Sequence, residues 1–229
     1  MALKPRWPAL PTCMDGFRSR RWSMVFDDTS LVAILRGVTP ARIVEIGDVL
    51  YDAGIRAIEV PLNSPDPFTS IASLAARRSD WTVGAGTVLN ADDVRRTHEA
   101  GGRLIVSPNC NPQVIHAALQ LGMRAMPGVA TASEAFAAID AGARQLKLFP
   151  AVTYGPRHLQ ALRAVLPRDV AVYPVGGVAA QDIAHWLAAG AAGFGFGSEL
   201  FRPDYSVADI DRRATDLVRA LREAHAQIQ

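Results

Sequence analysis

The sequence predicts an α/β fold built as a (β/α)8 barrel, eight parallel strands with the helices outside. Three observations predict it. Short apolar runs alternate with amphipathic stretches of helical period, and strands that alternate with helices imply a parallel sheet. The runs number eight, and eight units across residues 31–229 is about 25 residues each, small but feasible for such a barrel. Glycine closes helix after helix, at Ala53-Gly54, Ala100-Gly101, Leu121-Gly122, Ala141-Gly142 and Ala189-Gly190, as expected where a helix ends in a left-handed turn before a buried strand. An open doubly wound sheet is the competing architecture. No GxGxxG follows the first strand, however, and Gly195-Phe196-Gly197 lacks the long helix and distant acid of a dinucleotide site.

Taken in order, the first strand covers residues 31–35 and ends at Arg36-Gly37. A helix over 41–53 follows, then a strand over 57–60 carrying Glu59 near its end. The third strand, 81–85, runs into Gly86-Thr87, and a helix over 91–100 leads to the fourth, 104–106, which ends in Ser107-Pro108-Asn109. A helix over 112–121 precedes a short fifth strand at 125–126, followed by Pro127-Gly128. Thr131-Ala132-Ser133-Glu134 has the form of a capping box opening the fifth helix. The sixth strand, 145–149, contains Lys147; the seventh, 170–174, ends in Val175-Gly176-Gly177-Val178; the eighth, 193–196, ends in Gly197-Ser198-Glu199. A helix over 206–226 completes the pattern.

Composition narrows the function classes. Hydrophobic residues make up 49% of the 229 and charged residues 20%, so the chain can bury a sizeable core and is not mainly disordered. A net charge of +2 gives no reason to expect nucleic acid or a membrane surface. No apolar run approaches the roughly 20 residues of a membrane span. Cys13 and Cys110 cannot build a disulfide framework or a Cys-rich zinc site, and a cytoplasmic location is the default expectation. Residues 1–30 differ from the rest: Pro5, Pro8, Pro11 and Gly16 interrupt them, and they show neither period. No apolar segment follows their positive charges, as a secretory signal requires. They are expected to be a disordered N-terminal extension, with Met24 a plausible start and residues 31–229 the barrel domain.

Charge on the strands points to the site. Strand interiors of a barrel are buried and active sites lie at the C-terminal ends. Arg56, Arg103, Arg124 and Arg144 fall at strand starts, on the opposite rim. That leaves Arg36, Glu59 and Lys147. Only two lysines occur in the chain, Lys4 and Lys147, against 22 arginines. Arginine cannot lose its proton, whereas a desolvated lysine can serve as an amine nucleophile. Lys147 is thus a candidate nucleophile, or else a buried structural lysine paired with a carboxylate. Glu59 could move protons or merely balance Lys147 or Arg36. Arg36 could hold a substrate carboxylate or phosphate, or pair structurally with Glu59. Thr87 and backbone amides could bind a carboxylate, while tight turns alone would explain the nearby glycines.

The loops after strands seven and eight, with Gly176, Gly177, Gly197 and Ser198, stand where barrels frequently bind phosphate beside a short helix N-terminus. His98, His116, His158, His185 and His225 share no metal-ligand spacing, and Glu59 is the one carboxylate near a strand end, so no metal or other cofactor is expected. A phosphate-binding isomerase or synthase would share the glycine loops but has no use for Lys147. A non-catalytic sugar-phosphate sensor would bind its ligand without turning it over.

Five segments in order resemble the class I 2-keto-3-deoxy-6-phosphosugar aldolases: Ala33-Ile34-Leu35-Arg36-Gly37, residues 58–65, residues 83–89, Leu146-Lys147-Leu148-Phe149-Pro150 and Pro174-Val175-Gly176-Gly177. The resemblance covers about residues 31 to 205. It implies metal-free cleavage of a phosphorylated keto acid to pyruvate and D-glyceraldehyde 3-phosphate, usually by a homotrimer. By position it implies Lys147 as the imine-forming residue and Glu59 as the proton shuttle. It further implies ligand contacts from Arg36, Thr87, Pro108, Phe149, Val175, Gly176, Gly177, Gly197 and Ser198. Gluconate-type members carry Thr before the phosphate glycines and continue the second-strand motif with Arg-Thr-Glu. Here Val175 and Asn63-Ser64-Pro65 occupy those places, as in the galactonate type.

Overall fold

A computed structural model describes residues 30–228. The expectations for residues 1–29, including Lys4, Cys13 and the start at Met24, lie outside the described residues.

The chain alternates strand and helix: β1 (Leu31–Ile34), α1 (Pro40–Asp52), β2 (Ala57–Pro61), α2 (Pro67–Ala75), β3 (Thr82–Gly86), α3 (Ala91–Glu99), β4 (Leu104–Val106) and α4 (Pro112–Gln120). There follow β5 (Arg124–Met126), β6 (Gly128–Val129), α5 (Ala132–Asp140), β7 (Gln145–Leu148) and α6 (Ala151–Arg163). β8 (Ala171–Pro174), a 3-10 turn (Ala180–Asp182), α7 (Ile183–Ala188), β9 (Phe194–Phe196) and α8 (Val207–Ile228) complete it. All strand pairs are parallel. One sheet runs β5-β4-β3-β2-β1-β9 and the other β6-β7-β8. A single parallel bridge, Val175 with Gly195, joins the end of β8 to β9.

The expected α/β architecture with parallel strands is therefore present, with one change. The predicted fifth strand, 125–126, is observed as β5, and a further two-residue strand, β6, follows it across Pro127. β5 pairs with β4, whereas β6 pairs with β7 through Gly128 opposite Lys147. Proline has no N–H to give to a ladder, but its carbonyl accepts from the Lys147 N–H at 2.9 Å. Pro127-Gly128, which follows the predicted fifth strand, continues the strand line into β6. A side chain at Gly128 would collide with the Pro108 carbonyl, so this glycine permits β6 to approach the loop after β4.

Side-chain alternation sorts the strands into two faces. Leu31, Ala33, Ile58, Val60, Leu146 and Leu148 belong to the large core beneath the helices. The intervening Val32, Ala57, Leu104, Val106, Met126 and Tyr173 form a separate buried cluster on the other face. Glu59 lies between Ile58 and Val60, and Lys147 between Leu146 and Leu148, so both point away from the helices.

Local chemistry explains the helix ends. Asn90 and Asn111 cap α3 and α4 by accepting backbone N–H groups of Asp93 and Gln113. The expected capping box of α5 is formed, Thr131 accepting from the Glu134 N–H and the Glu134 carboxylate accepting from that of Thr131. Helix-closing glycines take left-handed φ, as at Gly54 (φ 104°). α6 is interrupted at Gly155 (φ 73°, ψ 169°), which sets its first turn apart from the remainder.

Candidate active site

Lys147 is the third of the four residues of β7 and only 6% exposed; Glu59 on β2 is 1% exposed. Burial drives the Lys147 ammonium pKa below its ordinary value, and the Arg36 charge pushes in the same direction while Glu59 opposes it. Burial lifts the Glu59 carboxyl to about 7, with the charges of Lys147 and Arg36 holding it back. Glu59 Oε2 is buried and has no hydrogen-bond partner. The structure thus places a reluctantly protonated amine and a reluctantly ionised carboxyl on strand faces turned away from the helices, within each other's electrostatic reach. An amine that loses its proton and a carboxyl poised near neutrality are what imine formation and proton transfer require.

Arg36 follows β1 and is exposed. Its partner is Asn63 rather than Glu59: Arg36 Nη1 donates to Asn63 Oδ1 at 2.8 Å. Thr87 follows β3 and is half-buried, with φ at 58°. A β-branched residue in the left-handed region is strained, and such strain is concentrated at functional sites. Pro108 is half-buried beside Gly128. The Phe149 ring lies under the Lys147 ammonium, 4.8 Å from Nζ to the centroid.

Val175 is buried and bridges to Gly195. Gly176 and Gly177 both have left-handed φ, 90° and 75°. A Cβ on Gly176 would lie 3.2 Å from the Phe149 ring, so the loop after β8 packs on the loop after β7. Backbone bonds pin them together: the N–H groups of Ala151 and Val152 donate to the carbonyls of Val175 and Gly176 at 2.8 and 2.9 Å. Gly197 is half-buried and Ser198 exposed. The segment after Gly197 is a turn rather than a helix, with the N–H groups of Leu200 and Phe201 donating to the Gly197 carbonyl.

Of the arginines assigned to the far rim, Arg124 behaves differently. It is half-buried, and its charge acts on the buried Tyr173 phenol. Burial pushes Tyr173 up to about 12, while Arg124 and a hydrogen bond with Gln145 pull it back. Sequence reasoning gave no role to Tyr173, for which a phenol between Val172 and Pro174 was the available signal, and took Asn63 and Ser64 only as a mark of the galactonate type. Among the described residues, no group of three or more His, Cys, Asp and Glu converges as metal ligands. No described helix is long and apolar enough to cross a membrane.

Comparison with known proteins agrees in fold and sequence. The chain is 46% identical over 195 residues to the 2-dehydro-3-deoxy-6-phosphogalactonate aldolase of Escherichia coli (strain K12), covering 85% of this chain and 95% of that one. It is 36% identical over 149 residues to the 2-dehydro-3-deoxy-phosphogluconate aldolase of Pseudomonas aeruginosa, covering 65% and 67%. A solved structure described as native KDPGal superposes with a TM-score of 0.85 at 44% identity, covering 87% of this chain and 97% of that one. The family model described as KDPG and KHG aldolase matches residues 24–214, a span that holds every residue of the site just described. By that match and by the relatives' identity over most of its length, the chain belongs to the KDPG and KHG aldolase family.

Proposed function

We propose that the protein is a class I aldolase that cleaves 2-dehydro-3-deoxy-6-phospho-D-galactonate to pyruvate and D-glyceraldehyde 3-phosphate. The observation that carries this reading is the buried Lys147 facing Glu59 on strand faces otherwise lined by apolar and small residues. The neutral Lys147 amine attacks the C2 carbonyl, and loss of water from the carbinolamine leaves a protonated imine. Ionised Glu59 takes the proton of the C4 hydroxyl. The C3–C4 bond breaks, its electrons pass to the iminium as an enamine, and the aldehyde leaves. Glu59 then returns a proton to C3, and water hydrolyses the pyruvate imine to release pyruvate and Lys147.

Arg36 and Thr87 hold the carboxylate end, and Pro108, Phe149 and Val175 wall the chain of the substrate. The backbone N–H groups of Gly176, Gly177, Gly197 and Ser198 hold the phosphate, supported by the bridge that brings the two loops together. Residues 31–229 form the catalytic domain, a closed (β/α)8 barrel. Support for closure comes from the Val175–Gly195 bridge and from the Ala192 N–H group, which donates to the Val172 carbonyl. The enzyme needs no metal or other cofactor and acts in the cytoplasm as a homotrimer. Exposed Leu89, Phe136, Val152 and Tyr154 are apolar surface suited to a subunit contact. Pyruvate release from the two C4-epimeric phosphosugar acids tests the function: faster release from the galactonate epimer supports it, and release from neither overturns it.

A further inference from the structure

We propose that Asn63 and Ser64 are positioning residues that together aim Arg36 at the substrate anion. This rests on the reading above in which Arg36 binds that anion. Arg36 stands on an exposed loop at the end of β1, where a long side chain would otherwise sweep many rotamers. Two hydrogen bonds from the loop after β2 restrain it. Asn63 Oδ1 accepts from Arg36 Nη1 at 2.8 Å. Ser64 Oγ accepts from the Gly37 N–H at 2.9 Å.

The second loop is itself a rigid support. The Ser64 N–H donates to the Pro61 carbonyl, closing a tight turn with Asn63 near its tip, and the Leu62 N–H donates to the Gly86 carbonyl. Ser64 is 7% exposed, an unusual depth for a loop serine. On the other side, Gly37 has φ 83°, and a Cβ there would lie 2.9 Å from Pro203. Gly37 thus donates to Ser64 and has no room for a side chain toward Pro203, so the turn that bears Arg36 requires glycine and is tied to the β2 loop. Asn63 uses part of the guanidinium and leaves other N–H groups for a ligand. Being neutral, Asn63 orients the arginine without cancelling its charge. That charge also bears on Glu59 and Lys147, holding the pKa of each down.

The test uses the full chain and steady-state cleavage of the galactonate epimer. Asn63→Ala is expected to raise KM about tenfold, with kcat within about threefold and an unmoved pH profile, because a misaimed group loses binding before chemistry. Ser64→Ala is expected to do the same and Ser64→Thr, which keeps the hydroxyl, to recover most of the loss. Asn63→Asp, which keeps the contact but neutralises Arg36, is expected to raise KM and move the pH profile upward. In an Arg36→Ala background, Asn63→Ala should add nothing. Full additivity in that background, or loss of kcat with KM intact, overturns the positioning role while leaving the aldolase reading in place. An unchanged KM in Arg36→Ala alone overturns the anion-binding role of Arg36 and the positioning role with it.

Discussion

The carboxylate of Glu59 occupies the space that a side chain on Gly86 would need: an ideal Cβ on Gly86 would overlap Glu59 Oε2. β2 and β3 are paired in register here, with Pro61 opposite Gly86 and Glu59 opposite Gly84. The glycine at the end of β3 thus makes room for the carboxyl rather than serving only as a turn. Immediately after it, Thr87 takes its strained left-handed φ.

Gly86→Ala is therefore expected to displace Glu59 and reduce kcat by at least about tenfold, with overpacking costing roughly 1–3 kcal/mol of stability. Shortening the acid should relieve the stability loss. In a double-mutant cycle measured by urea unfolding, Gly86→Ala in a Glu59→Ala background should cost far less than it does alone. Equal costs in both backgrounds would show that the two residues are not in conflict.

Glu59→Gln keeps the shape of the side chain and removes the base. Turnover is expected to fall by about 10²–10⁴-fold. Stability should respond in the opposite direction, and in a pH-dependent way. The carboxyl is raised from 4.5 to about 7 in the folded state, so between those values the folded chain binds the extra proton. Wild-type stability then declines as pH rises through that window, and the full penalty stands above pH 7. The rise corresponds to roughly 3 kcal/mol at most. Unfolding at pH 8 should find Glu59→Gln more stable than wild type, with the gap closing toward pH 4.5. A gap that does not change with pH would place the charge of Glu59 in a compensated environment.

The alternation of strands and helices was legible in the sequence because it depends on local periodicity and on glycine at helix ends. Boundaries such as β1 and β7 shifted by one residue, since the last residue of each run keeps only its N–H in the ladder, as Leu35 and Phe149 do by donating to the carbonyls of Glu59 and Val129. The continuation of the strand line across Pro127 was not legible. Which neighbour each half of that line pairs with is decided by tertiary packing, above all by the close approach of Gly128 to Pro108. Lys147 and Glu59 stood out because charge inside an apolar strand is costly and demands a reason. The partner of Arg36 did not. Asn63 is 27 positions away and meets it only because two adjacent strands end side by side.

Val175 is expected to set the preference between the epimers. A Thr hydroxyl at this buried position could bond a C4 hydroxyl on one face of the substrate, where Val offers only a methyl group. An unpaired buried hydroxyl costs ~1–3 kcal/mol, a preference of roughly ten- to a hundredfold. Competition kinetics should give wild type the higher kcat/KM on the galactonate epimer, with Val175→Thr raising activity on the gluconate epimer. A wild-type preference for the gluconate epimer would contradict the substrate assignment and leave the imine chemistry standing.

Residues 1–23 are expected to be dispensable, because they carry no core-forming pattern. A chain beginning at Met24 should keep its thermal unfolding midpoint and its kcat/KM. Loss of either would give the segment a structural role.

Every step of the proposed cleavage depends on Lys147 as the amine that forms the imine, and reductive trapping tests that most directly. The enzyme is incubated with pyruvate and borohydride, digested, and its peptides mapped by mass spectrometry. Lys4 and Lys147 are the only lysines, so the outcomes are few. The predicted result is a reduced pyruvate adduct on the peptide containing Lys147, abolished in Lys147→Arg. An adduct confined to Lys4, or no adduct at all, would contradict it.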